Sequence, residues 1–136
     1  MQPDGTAVFN GDVATSDILR DVASRYTENL ISFGESDECD LQATSIITHD
    51  DRVVVTGRAG TDPVLFKVHA AGKHFGLNGM GVVAVASALG LNRALVTNDI
   101  GRWHPGAGRG AHATVTLDSS DPDATLALID DAYNAN

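Results

Sequence analysis

The chain has 136 residues, one cysteine and a formal net charge of −9, with 43% apolar residues. That length suits one domain with a real core. The negative balance repels phosphate backbones and excludes a general nucleic-acid binder, and a single Cys39 excludes an internal disulfide. The opening MQPDGTAVFNGD has neither a basic nor an apolar leader region, so no signal peptide is expected and the chain reads as cytoplasmic.

TAVFN (6–10) is apolar and β-prone and predicts a strand. Thr15 or Ser16 offers an N-cap, and Ile18, Leu19, Val22, Ala23 and Tyr26 keep helical spacing, so 16–26 predicts an amphipathic helix. NLISFG (29–34) predicts a second strand, and strand–helix–strand points to an α/β fold. Cys39 lies in the polar run GESDECD and reads as a surface thiol. Three β-prone runs over 40–69, separated by HDDR and GTDP, predict an antiparallel meander.

KHFGLNGMGVVAVASALG (73–90) predicts a helix closed by Gly90. Its apolar stretch, 75–91, reads as a buried helix rather than a membrane span. Gly76, Gly79 and Gly81 fall near one face, where glycine permits either close packing or close approach of a ligand, packing being the simpler account. Asn92 can cap a short helix over 93–101. WHPGAGRG (103–110) is a Gly/Pro loop, HATVTLD (112–118) a strand, SSDPD (119–123) a turn, and TLALIDD (125–131) the last strand.

Several chemistries find no support. Lys67 occupies the first glycine position of a would-be phosphate loop ending at Gly72–Lys73, and His74 replaces its hydroxyl residue. GAGRG does not follow a strand, so a dinucleotide fingerprint is not expected. No pair among His49, His69, His74, His104 and His112 has zinc-site spacing, and no metal ligand or catalytic residue is assigned. Three clusters remain. His74 and Asn78 are four apart at a helix start and share a face, where an amide can pair with an adenine edge or simply be a satisfied helix start. Arg109 in a glycine-rich loop is either a solvated arginine or a ribose or phosphate contact. Asp130 and Asp131 end a strand, where acids can accept from ribose hydroxyls or carry a cation, or serve only as an N-cap.

Taken in order, PDGTAVFNGD, GKHFGLN, PGAGRG and LIDDAYNAN resemble the Mur ligases over nearly the whole chain, nearest the branch with G-[RK]-H-N-x-x-N-A at the helix and D-D-x-Y-N-A-N after the last strand. Phe75 departs from that pattern, standing where the family usually has Asn. The resemblance implies a partial Mur ligase central domain, with an α/β core and an antiparallel β-meander. Residues 1–136 would form its C-terminal half, ending at the hinge to a missing C-terminal domain, with the N-terminal domain also missing. It further implies a parent enzyme that uses ATP and Mg to join D-alanyl-D-alanine to UDP-MurNAc-tripeptide in peptidoglycan synthesis. His74 and Asn78 would lie at the adenine, Arg109 and Asp131 at the ribose or phosphate, and Asp130, Tyr133, Asn134 and Asn136 at the hinge. Without a phosphate loop the segment alone is expected to be inactive. The alternative is a free-standing, non-catalytic binding or self-assembly module of the same fold, a homo-oligomer through its uncovered sheet edge.

Overall fold

The computed structural model describes residues 5–106 and 111–130. In chain order the elements are β1 (Thr6–Asn10), α1 (Ser16–Ser24), β2 (Asn29–Gly34), β3 (Leu41–Thr48), β4 (Val53–Ala59), β5 (Asp62–Val68), α2 (Lys73–Ala88), α3 (Arg93–Ile100), β6 (Ala111–Asp118) and β7 (Asp121–Asp130). The α/β reading holds.

β1 and β2 pair in parallel, Thr6 opposite Asn29 through Asn10 opposite Phe33, with α1 as the crossover a parallel pair needs. β2 then pairs in parallel with β3 over only Phe33–Leu41 and Gly34–Gln42. β3, β4 and β5 follow as the expected antiparallel meander. The strand–helix–strand unit and the meander are therefore one five-stranded mixed sheet, ordered β1-β2-β3-β4-β5.

Strand alternation divides the apolar residues between two faces. On one face Leu41, Ala43, Val53, Val55, Val64, Phe66, Val68 and Ala70 meet Met80, Val83 and Ala84 of α2, with Val8, Ile31 and Phe33 at the margin. α1 packs on β1 and β2 and does not touch α2; its Arg20 guanidinium lies 5.3 Å from the Phe9 ring centroid. α3 packs against β5 and α2, and its cap is as expected: the Asn92 side chain accepts from the Leu95 N–H at 3.2 Å.

α2 touches the sheet through its backbone. A Cβ at Gly76 would sit 2.9 Å from Val55 Cγ2, one at Gly81 would sit 3.0 Å from Phe33 Cζ, and one at Gly79 would collide with the Phe66 ring. Of the two accounts of these glycines, close packing is the one observed. At the other end Gly90 takes φ 69°, its N–H donates to Ser87 O and the Leu91 N–H donates to Ala86 O. That is a Schellman closure, and it puts glycine in the left-handed position an L side chain resists.

Some boundaries differ from expectation. α1 stops at Ser24 rather than residue 26, and Thr15 caps it without a side-chain hydrogen bond. The GTDP separator shrinks to Gly60–Thr61, since Ala59 pairs with Asp62; Pro63 fits within β5 because β5 is an edge strand. The SSDPD turn shrinks to Ser119–Ser120, since Asp118 pairs with Asp121. The Asp118 carboxylate holds that turn, accepting from Ser120 N–H (2.8 Å) and Ser120 Oγ–H (2.6 Å), first the hydroxyl and then the amide keeping its pKa below the ordinary value. α2 is buried only on its sheet side, leaving Val82, Val85 and the following Leu89 exposed. Among the described residues no helix is long and apolar enough to cross a membrane.

Candidate nucleotide-contact site

The site residues that the sequence indicated and the structure describes sit on the first turns of α2. Gly72 precedes the helix with φ 116° and offers no side-chain cap. Lys73 forms a 2.6 Å ion pair with Glu35, tying the first turn to the loop after β2. His74 and Asn78 both face solvent, one helical turn apart, so they share a face as the spacing required. Arg109, Asp131, Tyr133, Asn134 and Asn136 lie outside the described residues; Asp130 is the last residue of β7, described by its backbone alone.

The structure adds a ring cluster that the sequence reading missed. The His74 ring lies 4.2 Å from Phe75, and Phe75 lies 6.0 Å from Trp103 with the planes tilted by 43°. His69, immediately after β5, stacks on His104 at 4.7 Å and 23°. These rings come from three places: the end of β5, the start of α2 and the loop after α3. Twenty-eight positions separate Phe75 from Trp103, so no local spacing could reveal the pair. The available signal was the bulky WHP beside a glycine-rich loop.

A second group organises the ends of the parallel strands. The Asp12 carboxylate accepts from the N–H groups of Glu35 (2.6 Å) and Ser36 (3.0 Å), stapling the loop after β1 to the loop after β2. Asp40 accepts from both the N–H and the hydroxyl of the buried Ser32, each at 2.8 Å, and the Asp40 N–H donates back to Ser32 Oγ at 3.1 Å. Cys39 lies between them and is buried, not the surface thiol its polar neighbours suggested. Burial raises its pKa, and the Asp12 and Asp40 carboxylates raise it further; hydrogen bonds to Ser32 and Gly11 oppose this only in part. A thiol so placed is a poor nucleophile. Among the described residues no cluster of three or more His, Cys, Asp or Glu could hold a metal ion. An open apolar groove of about 370 Å³ runs between β1 and α1, lined by Ala7, Phe9, Leu19, Val22 and Tyr26 among others; it shares no residue with the ring cluster.

This mixed sheet, with one glycine-rich helix lying against it, is a fold found in cell-wall ligases. Among similar solved structures is MurF from Acinetobacter baumannii, with a TM-score of 0.84 and 22% identity, covering 100% of this chain and 27% of that one. MurF ligase from Thermotoga maritima, solved in complex with ADP, gives 0.61 and 20% identity over 96% of this chain and 28% of its own. The UDP-N-acetylmuramate–alanine ligase MurC from Thermotoga maritima gives 0.63 and 18% over 89% and 30%. The fold of this chain is thus that of part of a Mur ligase, and the chain spans about 27% of the length of the A. baumannii enzyme. No protein-family model matches the sequence, and no curated protein sequence matches it.

Proposed function

We propose that this chain is the C-terminal half of the central, nucleotide-binding domain of a cytoplasmic ATP-dependent ligase, one that joins D-alanyl-D-alanine to UDP-MurNAc-tripeptide. One observation carries the reading. The fold match to MurF covers the whole chain, and within it GKHFGLN falls where α2 presents His74 and Asn78 to solvent. The ADP complex of the Thermotoga maritima enzyme supports a nucleotide as the ligand.

In a ligase of this kind ATP phosphorylates the terminal carboxylate of the peptide, the amine of the dipeptide attacks the acyl phosphate, and phosphate leaves. Mg and cationic groups outside this chain would balance the charge on the transferring phosphoryl group. The contribution of this chain is to hold the nucleoside. The Asn78 amide pairs with the adenine edge, since it offers one donor and one acceptor side by side. His74 lies one turn earlier on the same face. Arg109 and Asp131 take the ribose or phosphate side, and Asp130, Tyr133, Asn134 and Asn136 lead into the hinge.

The test is equilibrium dialysis with labelled ADP. Asn78→Ala and Asp131→Ala should each weaken binding by about tenfold, the range for one lost hydrogen bond to a charged or paired group. Unchanged affinity in both variants would remove the assignment. A second reading, a self-assembling module without catalysis, draws on the edge of β1, unpaired among the described residues, and the exposed apolar face of α1.

A further inference from the structure

Two consecutive residues tie the loop after α3 to two different elements. His104 stacks on His69, just past the end of β5, with ring centroids 4.7 Å apart and planes within 23°. Trp103 packs on Phe75, in the first turn of α2, at 6.0 Å. The hydrogen bond from the Trp103 N–H to Ile100 O, 3.2 Å, only continues the turn that ends α3. His69 is half-buried and His104 exposed, so water and protons reach the pair. Among the described residues neither histidine forms an ion pair.

A stack this close joins two neutral rings, or one charged ring and one neutral ring. It does not survive as two imidazolium ions, because like charges then face each other a few ångströms apart. The surrounding elements offer no counter-charge. β5 contributes Lys67; α2 contributes His74 and Lys73, the latter already paired with Glu35; the end of α3 contributes Asp99, already paired with Arg102. Histidine ordinarily titrates near pH ~6.5, and a ring stack resists that by no more than about one pH unit. We propose that His69 and His104 form a pH-operated latch. In neutral solution the stack holds residues 103–106 against the end of β5. Below pH ~5.5 joint protonation of the two rings parts them, and the loop swings out and takes Trp103 off Phe75. The latch needs no ligand, so it stands apart from the nucleotide reading above.

The chain contains one tryptophan, so its emission reports on Trp103 alone. The measurement is acrylamide quenching of that emission in the 136-residue chain from pH ~8 down to pH ~5. Accessibility is read rather than brightness, because an imidazolium beside an indole dims it without any motion. The quenching constant should rise about 1.5-fold or more at the acid end, reversibly, with far-ultraviolet circular dichroism unchanged. His104→Phe keeps a ring to stack but takes no proton, and it should hold the alkaline value throughout; His69→Phe should do the same. His74→Gln should leave the rise intact, which separates the latch from the third histidine, 4.2 Å from Phe75. A flat quenching constant in the folded, unaltered chain overturns the proposal. So does a rise that persists in the phenylalanine variants, one that vanishes in His74→Gln, or one that coincides with loss of circular dichroism. Should either phenylalanine variant fail to fold, the other variant and the profile of the unaltered chain still decide.

Discussion

A methyl group at Gly79 would have to share space with the Phe66 ring, and both residues are buried. Overpacking of this sort costs about 1–3 kcal/mol, against about 1 kcal/mol gained in helix propensity. Gly79→Ala is therefore expected to lower stability by roughly 1 kcal/mol in chemical denaturation. A stabilised variant would mean that Phe66 moves aside at no penalty. Cys39 gives a pH prediction. Its folded-state pKa is raised, so the folded chain holds that proton more tightly than the unfolded chain does. The contribution is fully present below the unfolded value, about 9, and is lost as the pH rises through the folded one. Stability should fall less steeply above pH ~9 in Cys39→Ala than in the unaltered chain, whatever their absolute levels. Parallel profiles would show that the thiol does not titrate differently on folding. The sequence shows the glycines as a face because helical periodicity is local. It hides the burial of Cys39, whose surroundings include Gly11 and Asp12 from the loop after β1 and Ser32 of β2, positions far from it in sequence.

Elements differ in how much of the molecule supports them. α2 contacts every strand of the five-stranded sheet and should be among the last parts to open. The β6–β7 ribbon makes no contact with any other element among the described residues, and Val115, Leu117, Leu126 and Leu128 are all exposed. A two-stranded ribbon without a partner surface is marginal in water. Native-state hydrogen exchange should show the amides of Ala113–Asp118 and Asp121–Leu128 exchanging far faster than those of β3–β5. Equal protection would mean that something covers the ribbon. Element existence was legible from periodicity and from Asn92 and Gly90 as caps. The junction of β2 with β3 was not, because two residue pairs leave no pattern that either strand carries alone.

For the whole molecule, the uncovered surface matters most. Among the described residues β1 has a free edge, and beside it Ile18 (63% exposed), Leu19, Val22 and Tyr26 line an apolar face with no partner. Such a face favours association. Light scattering of the 136-residue chain should show a mass that grows with concentration, and Val22→Lys should restore the monomer. A monomer at every concentration would count against the self-assembly reading and leave the ligase reading untouched. Half of the candidate site was legible for a related reason: His74 and Asn78 are neighbours along one helix, whereas Trp103, which meets Phe75, comes from the loop after α3.

The five strands of the main sheet lie side by side in the order in which they are translated. Each new strand therefore finds its partner in the segment just made, and the closure entropy is that of the α1 crossover at the first step and of a short loop at the next three. Chains with such local pairing fold quickly for their size. The growing polypeptide can lay this sheet down strand by strand as it leaves the ribosome, and α2, emerging next, then closes its apolar face.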